Sequence, residues 1–224
     1  MKIILLPGLD GTGLLFNDLV AQLPKEWDVK ILSYDSIQDT SYSGQAEEIS
    51  EHLKGMDIFL VGESYSGRVA YELHQILGDR VKGIVFLASF ISSPSLVSRL
   101  AKLLPVSLLS SNILSRFILY LFGFNFSGGS SLVAPVFESI KKADKVKLRS
   151  RLRNIATLNI PKHDIKCPVT YIRPTSDLLV GVKAFNVLAS RAAHLNVVKV
   201  RGGHFIAQSN PVACGEIICN AVSM

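Results

Sequence analysis

The chain has 224 residues, of which 48% are hydrophobic and 19% charged, so it is long enough for a single globular domain with a sizeable apolar core. Its formal net charge is +6, and its three cysteines are too few and of the wrong parity for a disulfide framework. No Cys-x-x-Cys pair or His/Cys cluster indicates a metal site, so we expect no bound metal.

Strands and helices alternate along most of the chain. The predicted strands are short apolar runs at residues 2–6, 29–32, 58–61, 83–88, 168–172 and 197–200. The predicted helices lie at residues 14–23, 43–54, 68–77, 181–193 and 211–222, with Ser43 and Asn210 as the expected N-caps of the second and the last. Alternation at this spacing indicates a parallel, doubly wound sheet with helices on both faces.

The alternation stops after residue 89, and residues 92–160 carry a different pattern. Four segments follow in order, a helix opened by a Ser-Pro pair, an apolar run, a Gly/Ser-rich loop and one or two basic helices, at residues 93–104, 113–122, 123–131 and 134–158. We interpret 92–160 as a helical cap inserted between two strands of a single domain that spans 1–224. Additional core helices would explain the same apolar pattern.

Most of the positive charge lies in this segment. Residues 94–160 contain ten Lys or Arg and two acidic residues, a net charge of +8, whereas the rest of the chain contains 14 basic and 16 acidic residues. Lys145, Arg149 and Arg153 share one face of a predicted helix. The charge suggests that the segment has a surface role of its own, and an ordinary solvated face is the alternative.

The N-terminal residues predict a strand and not a targeting segment. The first eight residues hold one charge and only four apolar residues before a Pro-Gly pair, which is too short for the apolar region of a signal peptide. No run approaches the ~18 apolar residues that a membrane span needs. We therefore expect a cytoplasmic protein without an integral membrane span.

Ser64 lies between the third predicted strand and the helix that follows it, in the sequence Gly62-Glu63-Ser64-Tyr65-Ser66-Gly67. A tight strand-turn-helix strains the backbone at its central residue, so the side chains two positions away must be small, as Gly62 and Ser66 are. The turn lifts the serine hydroxyl above the sheet at a helix N-terminus, where a developing anion is stabilised. The pattern predicts that Ser64 is a nucleophile; a serine-rich helix start is the alternative for this stretch alone.

A serine hydroxyl needs a base, and the base needs an orienting acid. Among the five histidines, only His204 follows the carboxyl end of a predicted strand, where open parallel sheets place their sites. Asp177 follows the preceding strand at the same edge, whereas Asp164 comes before its strand. We predict a catalytic triad of Ser64, Asp177 and His204. A solvated loop histidine and an aspartate that caps a helix are the alternatives for the last two residues.

A glycine-rich turn follows the first strand and contains Gly8, Leu9 and Asp10. Backbone N–H groups in such a turn often face a ligand. The tetrahedral oxyanion of acyl transfer needs two donors, and we expect the N–H groups of Tyr65 and Leu9 to supply them. A carboxylate at Asp10 would oppose catalysis unless it points away from the oxyanion.

Four motifs together resemble the α/β-hydrolase superfamily, and in particular its small single-domain bacterial carboxylesterases. They read Leu6-Pro7-Gly8-Leu9-Asp10-Gly11, Gly62-Glu63-Ser64-Tyr65-Ser66-Gly67, Ser176-Asp177-Leu178-Leu179-Val180 and Gly203-His204-Phe205. The resemblance implies the α/β-hydrolase fold, with nucleophile, acid and base in that chain order. Pro7, Glu63 and Ser66 stand where many members have histidine, histidine and glycine. The chain also begins at what would be the family's third strand, which implies a minimal sheet of about six parallel strands.

These observations predict a serine esterase that hydrolyses carboxylic esters with short-to-medium acyl chains through an acyl-enzyme, without a cofactor. The expected partner is a small-molecule ester, and no nucleic acid is expected. Apolar side chains of the predicted cap would line an acyl channel: Leu103, Leu104, Ile113, Phe117, Ile118 and Phe122.

Other functions stay open at this point. The basic cap could dock an acidic acyl carrier protein, so that the substrate is a carrier-linked ester or thioester. A non-catalytic module that binds acyl groups or a membrane surface through the cap is a second alternative. Acyl transfer or a lyase reaction is also compatible, because a fold does not fix the reaction.

Overall fold

The computed structural model describes residues 1–95, 120, 123–124 and 130–223. The strands are β1 (Lys2–Leu6), β2 (Asp28–Ile31), β3 (Ile58–Glu63), β4 (Val81–Leu87), β5 (Ile165–Pro174) and β6 (Ala192–Val200). The helices are α1 (Asn17–Val20), α2 (Tyr42–Glu51), α3 (Ser66–Leu77), α4 (Ser130–Lys142), α5 (Lys145–Ala156), α6 (Val182–Arg191), α7 (Ile206–Ser209) and α8 (Pro211–Val222). Short 3-10 segments precede α1 and β4, at Leu14–Phe16 and Gly78–Arg80.

The six strands form one parallel sheet in the order β2-β1-β3-β4-β5-β6. From β1 the chain moves outward to β2 and then returns to β3 on the other side of β1. The strand order therefore reverses between β1 and β3. In an open α/β sheet, the crevice at the carboxyl ends of two such strands is where ligands bind.

Both faces of the sheet are buried, as the near-continuous apolar strands predict. Ile4, Leu60 and Ile84 are adjacent in register and pack on the face covered by α2, α3 and α6. The next residues along the strands, such as Leu5 and Val61, point to the opposite face, which α1 and α8 cover. The alternation gives the domain one apolar core on each side of the sheet.

The structure confirms the predicted α/β architecture, with differences at several boundaries. The helix predicted at 14–23 is a 3-10 segment followed by the four-residue α1. The N-cap of α2 is Ser41 and not Ser43, because the Ser41 Oγ accepts the Gly44 N–H at 3.0 Å. The Asn210 side chain makes no capping hydrogen bond at the start of α8 and instead donates to the Arg201 carbonyl at 3.1 Å.

Strand β6 begins earlier than predicted, directly after α6, so His194 lies in a strand and not in a turn. This strand is at the sheet edge and is largely exposed, and its N-terminal half therefore lacks the apolar run that predicts a strand.

The basic region predicted at 134–158 forms two helices, α4 and α5. Asp144 separates them, and its carboxylate caps α5 by accepting the N–H groups of Val146 and Lys147. The two helices share a third apolar cluster, against which Leu9 and Phe205 also pack. They therefore lie against the loops that follow β1 and β6.

The remainder of the predicted cap lies largely outside the described residues, including the helix at 93–104, the run at 113–122 and all six side chains expected to line an acyl channel. The boundaries of the cap at 92–160 stay a prediction. Among the described residues, no helix has both the length and the apolar character to cross a membrane.

Candidate active site

Ser64 follows β3 directly and has a left-handed backbone conformation, with φ of +48°. The Ser64 N–H donates to the Leu87 carbonyl at the end of β4, and its own carbonyl accepts from Gly67 at the start of α3. The turn leaves little room around it. A Cβ at Gly62 would lie 3.0 Å from the Ser66 carbonyl oxygen, which explains why the position two residues before the serine must be small.

The hydroxyl of Ser64 lies within hydrogen-bond distance of His204, 140 positions later in the sequence. Ser64 Oγ is 2.8 Å from His204 Nε2, and His204 Nδ1 is 2.9 Å from Asp177 Oδ2. The side chains of His204 and Asp177 are 5% and 6% exposed. The structure thus brings together all three residues of the predicted triad in the order hydroxyl, imidazole, carboxylate.

The loops that carry the acid and the base are joined to each other. The Ser176 N–H donates to the Gly202 carbonyl at 3.0 Å, which ties the loop after β5 to the loop after β6. The other oxygen of the Asp177 carboxylate, Oδ1, accepts the N–H groups of Leu179 and Val180 at 2.8 and 3.0 Å. The orientation of Asp177 toward His204 is therefore set by its own loop.

The surroundings of Asp177 and His204 favour an ionised carboxylate and a more basic imidazole. Burial alone would raise the pKa of Asp177, but the adjacent His204 and the two backbone donors outweigh it and lower the pKa below its usual range. Burial alone would lower the pKa of His204, but the carboxylate of Asp177 and the charge of Glu63 outweigh it and raise the pKa. A buried base with a raised pKa can take a proton from Ser64.

Glu63 is a buried carboxyl group next to Ser64, and no role for Glu63 follows from the sequence. Burial raises the pKa of Glu63 to about 7, although the hydrogen bond from Gln208 and the charge of His204 act in the opposite direction. Gln208 Nε2 donates to Glu63 Oε1 at 2.9 Å. The other polar atom of this amide, Oε1, is buried and has no hydrogen-bond partner in the part of the chain that the structure describes.

The glycine-rich turn after β1 lies beside Ser64, as expected for an oxyanion hole. A Cβ at Gly8 would be 3.8 Å from the Ser64 Cβ. The turn is closed by a hydrogen bond from the Gly11 N–H to the Gly8 carbonyl at 3.2 Å. Within the described ranges, the backbone N–H groups of Leu9 and Tyr65 have no hydrogen-bond acceptor. Both are therefore free to bind a ligand atom.

The carboxylate of Asp10 is held mainly through one of its two oxygens. Its Oδ2 accepts hydrogen bonds from the Thr12 N–H at 2.9 Å, from the Thr12 hydroxyl, and from the Ser139 hydroxyl of α4 at 2.7 Å. These contacts hold Oδ2 toward α4, whereas Oδ1 stays near the turn, 3.8 Å from the position that a Cβ at Gly8 would take.

Three residues that hold the turn were missed by reasoning from the sequence. The hydroxyl of Ser66 donates to the Pro7 carbonyl and also hydrogen-bonds with the Tyr34 hydroxyl. Arg151 of α5 is 1% exposed and donates to the carbonyls of Leu9 and Asp10. Ser66 in place of the usual glycine was a signal for such a contact, whereas nothing in the sequence around Tyr34 or Arg151 pointed to this turn.

The predicted stripe of Lys145, Arg149 and Arg153 is exposed on α5, whereas two other basic residues of that helix face the protein. Besides Arg151, Lys147 donates through Nζ to the backbone carbonyls of residues 34, 35 and 37. Lys145 donates to the last carbonyls of α4, those of Ile140 and Lys141. Arg149 and Arg153 are exposed. A group of three or more His, Cys, Asp or Glu side chains suited to a metal ion is absent from the described residues.

Several solved structures resemble this chain over its whole length. A hydrolase from Oleispira antarctica is 15% identical, with a TM-score of 0.79 over 100% of this chain and 92% of that one. A thermophilic esterase from Thermogutta terrifontis is 13% identical, with a TM-score of 0.80 over 100% of this chain and 89% of that one. The thioesterase RedJ from the prodiginine biosynthetic pathway of Streptomyces coelicolor is 17% identical, with a TM-score of 0.73 over 100% of this chain and 90% of that one.

No protein-family model matches the sequence, and no curated protein matches it. The structural similarity nevertheless extends over the full length of the chain. At these identities it establishes the architecture and leaves the reaction to be argued from the site. The protein therefore has the α/β-hydrolase fold, as the motifs in its sequence predict.

Proposed function

We propose that the protein is a serine hydrolase that cleaves carboxylic esters through an acyl-enzyme. The hydrogen-bonded chain from Ser64 through His204 to Asp177, at the edge of the sheet where the strand order reverses, is the observation that supports this function most directly. The esterases, hydrolases and thioesterase that share the fold support hydrolysis as the type of reaction.

In the first half of the reaction, Ser64 Oγ attacks the ester carbonyl while His204 Nε2 takes the hydroxyl proton. The resulting oxyanion accepts hydrogen bonds from the N–H groups of Leu9 and Tyr65. The negative charge of Asp177 stabilises the imidazolium and holds its Nδ1–H. When the tetrahedral intermediate collapses, His204 returns the proton to the leaving alkoxide, and an alcohol and an acylated Ser64 result.

In the second half, water attacks the acyl-enzyme. His204 takes a proton from this water, and the second oxyanion occupies the same site as the first. Collapse breaks the bond to Ser64 Oγ, which recovers its proton from His204, and a carboxylic acid leaves. No redox or metal step is needed, and one water molecule is consumed for each ester cleaved.

The substrate class that we propose is an ester with a short-to-medium acyl chain. Leu9 belongs to the turn that is proposed to bind the oxyanion, and Phe205 directly follows His204. Both side chains pack against the apolar cluster of α4 and α5. The apolar surface close to Ser64 thus favours a hydrocarbon group over a charged one. A series of p-nitrophenyl esters of increasing acyl length would test this, with the highest kcat/KM expected at short-to-medium lengths.

Ester turnover by the Ser64→Ala variant tests the proposed nucleophile. We expect essentially all turnover to be lost, because Ser64 supplies the hydroxyl that is hydrogen-bonded to His204. Ser190→Ala, which changes an exposed serine of α6, is the matched control and should retain wild-type kcat and KM. Wild-type turnover in Ser64→Ala would refute the proposal.

A thioester or ester linked to an acidic carrier protein is a second candidate substrate. Two observations favour it: the exposed cations Arg149 and Arg153 lie on α5, and a pathway thioesterase shares the fold. Charge reversal of both arginines should raise KM for a carrier-linked substrate and leave p-nitrophenyl ester turnover unchanged. Equal KM values for the carrier-linked substrate in the two proteins, at low and high salt, would exclude this docking surface.

A further inference from the structure

Every carbonyl of the turn after β1 has a hydrogen-bond donor. The five successive carbonyls from residue 7 to residue 11 accept, in order, from Ser66 Oγ, Gly11 N, Arg151 Nε, Arg151 Nη2 and Tyr34 N. In a trans peptide the C=O and N–H groups point in opposite directions, so fixing the carbonyls also fixes the N–H groups. The N–H of Leu9 belongs to the same peptide group as the Gly8 carbonyl, which accepts the Gly11 N–H. The Gly11 N–H in turn shares its peptide group with the Asp10 carbonyl, which Arg151 holds, so Arg151 acts on the Leu9 N–H through Gly11.

Arg151 supplies two of these donors, to the carbonyls of Leu9 at 2.7 Å and Asp10 at 2.8 Å. Leu9 and Asp10 are the two central residues of the turn that the Gly11 N–H to Gly8 hydrogen bond closes. One planar guanidinium therefore spans the peptide groups that follow Leu9 and Asp10, which a flexible ammonium cannot do with the same geometry.

The burial of Arg151 is costly. The residue is 1% exposed. Among the described residues, its Nη1 has no hydrogen-bond partner and no carboxylate lies within ion-pair distance of it. Burial lowers the pKa of its guanidinium, against the effect of nearby acidic groups such as Asp10. A buried charge without an ionic partner destabilises a fold, so packing alone does not account for an arginine at this position.

Gly11 provides the space that the guanidinium occupies. A Cβ at Gly11, where φ is +75°, would lie 2.7 Å from Arg151 Cζ and Nη1. Helix α4 adds a second contact to the same turn, because the Ser139 hydroxyl donates to the Asp10 carboxylate at 2.7 Å. Both helices thus hold the turn. Arg151 of α5 donates to two backbone carbonyls of the turn, and Ser139 of α4 donates to the side chain of Asp10.

We propose that Arg151 is a positioning residue that orients the oxyanion-binding turn, so that α5 and the turn form one unit. This inference rests on the proposed function. It assigns to a residue 142 positions away from Leu9 the task of holding the Leu9 N–H toward Ser64. The interaction stabilises the transition state through the oxyanion and contributes little to substrate binding.

Ester kinetics of Arg151→Met test the inference, with Arg149→Met as the matched control on the exposed side of the same helix. We expect kcat of Arg151→Met to fall by about 10- to 100-fold with KM within about threefold of wild type, because a displaced donor acts mainly on the transition state. Affinity for a trifluoromethyl ketone, whose adduct with Ser64 carries an oxyanion, should fall in parallel. Arg149→Met should match wild type in all three quantities.

Arg151→Lys keeps the positive charge and is the second variant, in case the methionine variant does not fold. One ammonium can donate to either carbonyl but cannot span both in the fork geometry of arginine, so we expect kcat between those of wild type and Arg151→Met. Wild-type kcat and ketone affinity in a folded Arg151 variant would overturn the inference. A drop in thermal stability without a change in kcat would also overturn it.

A separate measurement distinguishes failure of the inference from failure of the proposed function. If the wild-type protein neither hydrolyses esters nor binds the ketone, the proposed function is wrong. Amide hydrogen exchange then decides the inference without any substrate. Faster exchange of the Gly11 N–H in Arg151→Lys than in wild type would support the link between α5 and the turn, and equal exchange would contradict it.

Discussion

The serine turn after β3 and the glycine-rich turn after β1 lie side by side at the edge of the sheet, but they are held in different ways. The serine turn is shaped mainly by small residues of its own motif. A Cβ at Gly62 would meet the Ser66 carbonyl oxygen, and Gly67 leaves room for Ser89 and Phe90 of the loop that follows β4. The glycine-rich turn is held by Ser66, Tyr34 and Arg151, which come from three other parts of the chain.

This difference shows which parts of an active site short motifs can encode. A nucleophile turn needs only small residues at fixed spacing, and it is therefore visible in any sequence that contains it. A turn that presents its N–H groups needs donors for its carbonyls, and such donors can come from any surface that packs on it. The variants below separate the two kinds of support, in order of decreasing expected effect.

Asp177→Asn should cause the largest loss, about 10⁴-fold in kcat, because an amide cannot stabilise the imidazolium or hold the correct tautomer of His204. It should also move the acid limb of the pH profile of kcat/KM to lower pH, because the pKa of His204 is raised by the Asp177 charge. The control is Asp164→Asn, which removes only an exposed ion pair with Arg191. Retention of more than about a tenth of wild-type kcat would contradict the assignment of the acid.

Ser66→Ala should lower kcat by about 10-fold and destabilise the fold by about 1–3 kcal/mol. It leaves the Pro7 carbonyl and the Tyr34 hydroxyl without their shared partner in a buried site. Kinetics and urea denaturation measure the two effects. Tyr34→Phe is the informative comparison, because it keeps the contact between Ser66 and Pro7. If Tyr34→Phe lowers kcat as much as Ser66→Ala does, the Pro7 contact is not the one that matters.

Sequence reasoning found most of what local patterns encode, although it placed the N-cap of α2 at Ser43 and not at Ser41. It identified the alternation of strands and helices, the turn at Ser64, and the positions of Asp177 and His204 after neighbouring strands, because parallel strands bring their carboxyl ends to one edge. It did not predict the role of Arg151. This residue lies in a basic stretch that is typical of an exposed helix, and it is buried only because the turn of Leu9 and Asp10 packs against it.

The basic segment shows the same limit. The charges of Lys147 and Arg151 were counted as surface charge, but both side chains donate to backbone carbonyls of distant loops. A sequence shows that a residue is charged, whereas its acceptors depend on the tertiary packing. Edge strand β6 illustrates the problem for secondary structure, since exposure on both faces removes the pattern that predicts a strand.

Glu63→Gln should change the pH dependence more than the activity at any one pH. The folded-state pKa of about 7 lies above the ordinary value of 4.5, so the protonated form contributes stability that is present below pH 4.5 and lost as pH rises through about 7. The glutamine variant does not undergo this loss. Its free energy of unfolding relative to wild type should therefore rise between pH 5 and pH 8, by on the order of 3 kcal/mol.

The same substitution should lower the pKa of His204, because the Glu63 charge raises it in the wild type. The acid limb of kcat/KM should then move to lower pH. Urea denaturation and kinetics at a series of pH values measure both effects. A difference in unfolding free energy that is constant from pH 5 to pH 8 would show that Glu63 does not titrate in this range.

Arg149→Glu combined with Arg153→Glu should have the smallest effect. Both side chains are exposed on the helix whose buried face carries Arg151, so kcat for p-nitrophenyl esters should stay within about twofold of wild type. A large loss with these small substrates would mean that the exposed face of α5 also supports the turn. That result would remove the contrast between Arg149 and Arg151.

The covalent state of Ser64 tests the central claim most directly. Wild-type protein and Ser64→Ala are each treated with an organophosphonate, and the intact masses and the labelled peptide are determined by mass spectrometry. The account predicts one phosphonyl group on the wild-type protein, located on Ser64, and none on the variant. An unmodified wild-type protein, or a label on any other residue, would contradict it.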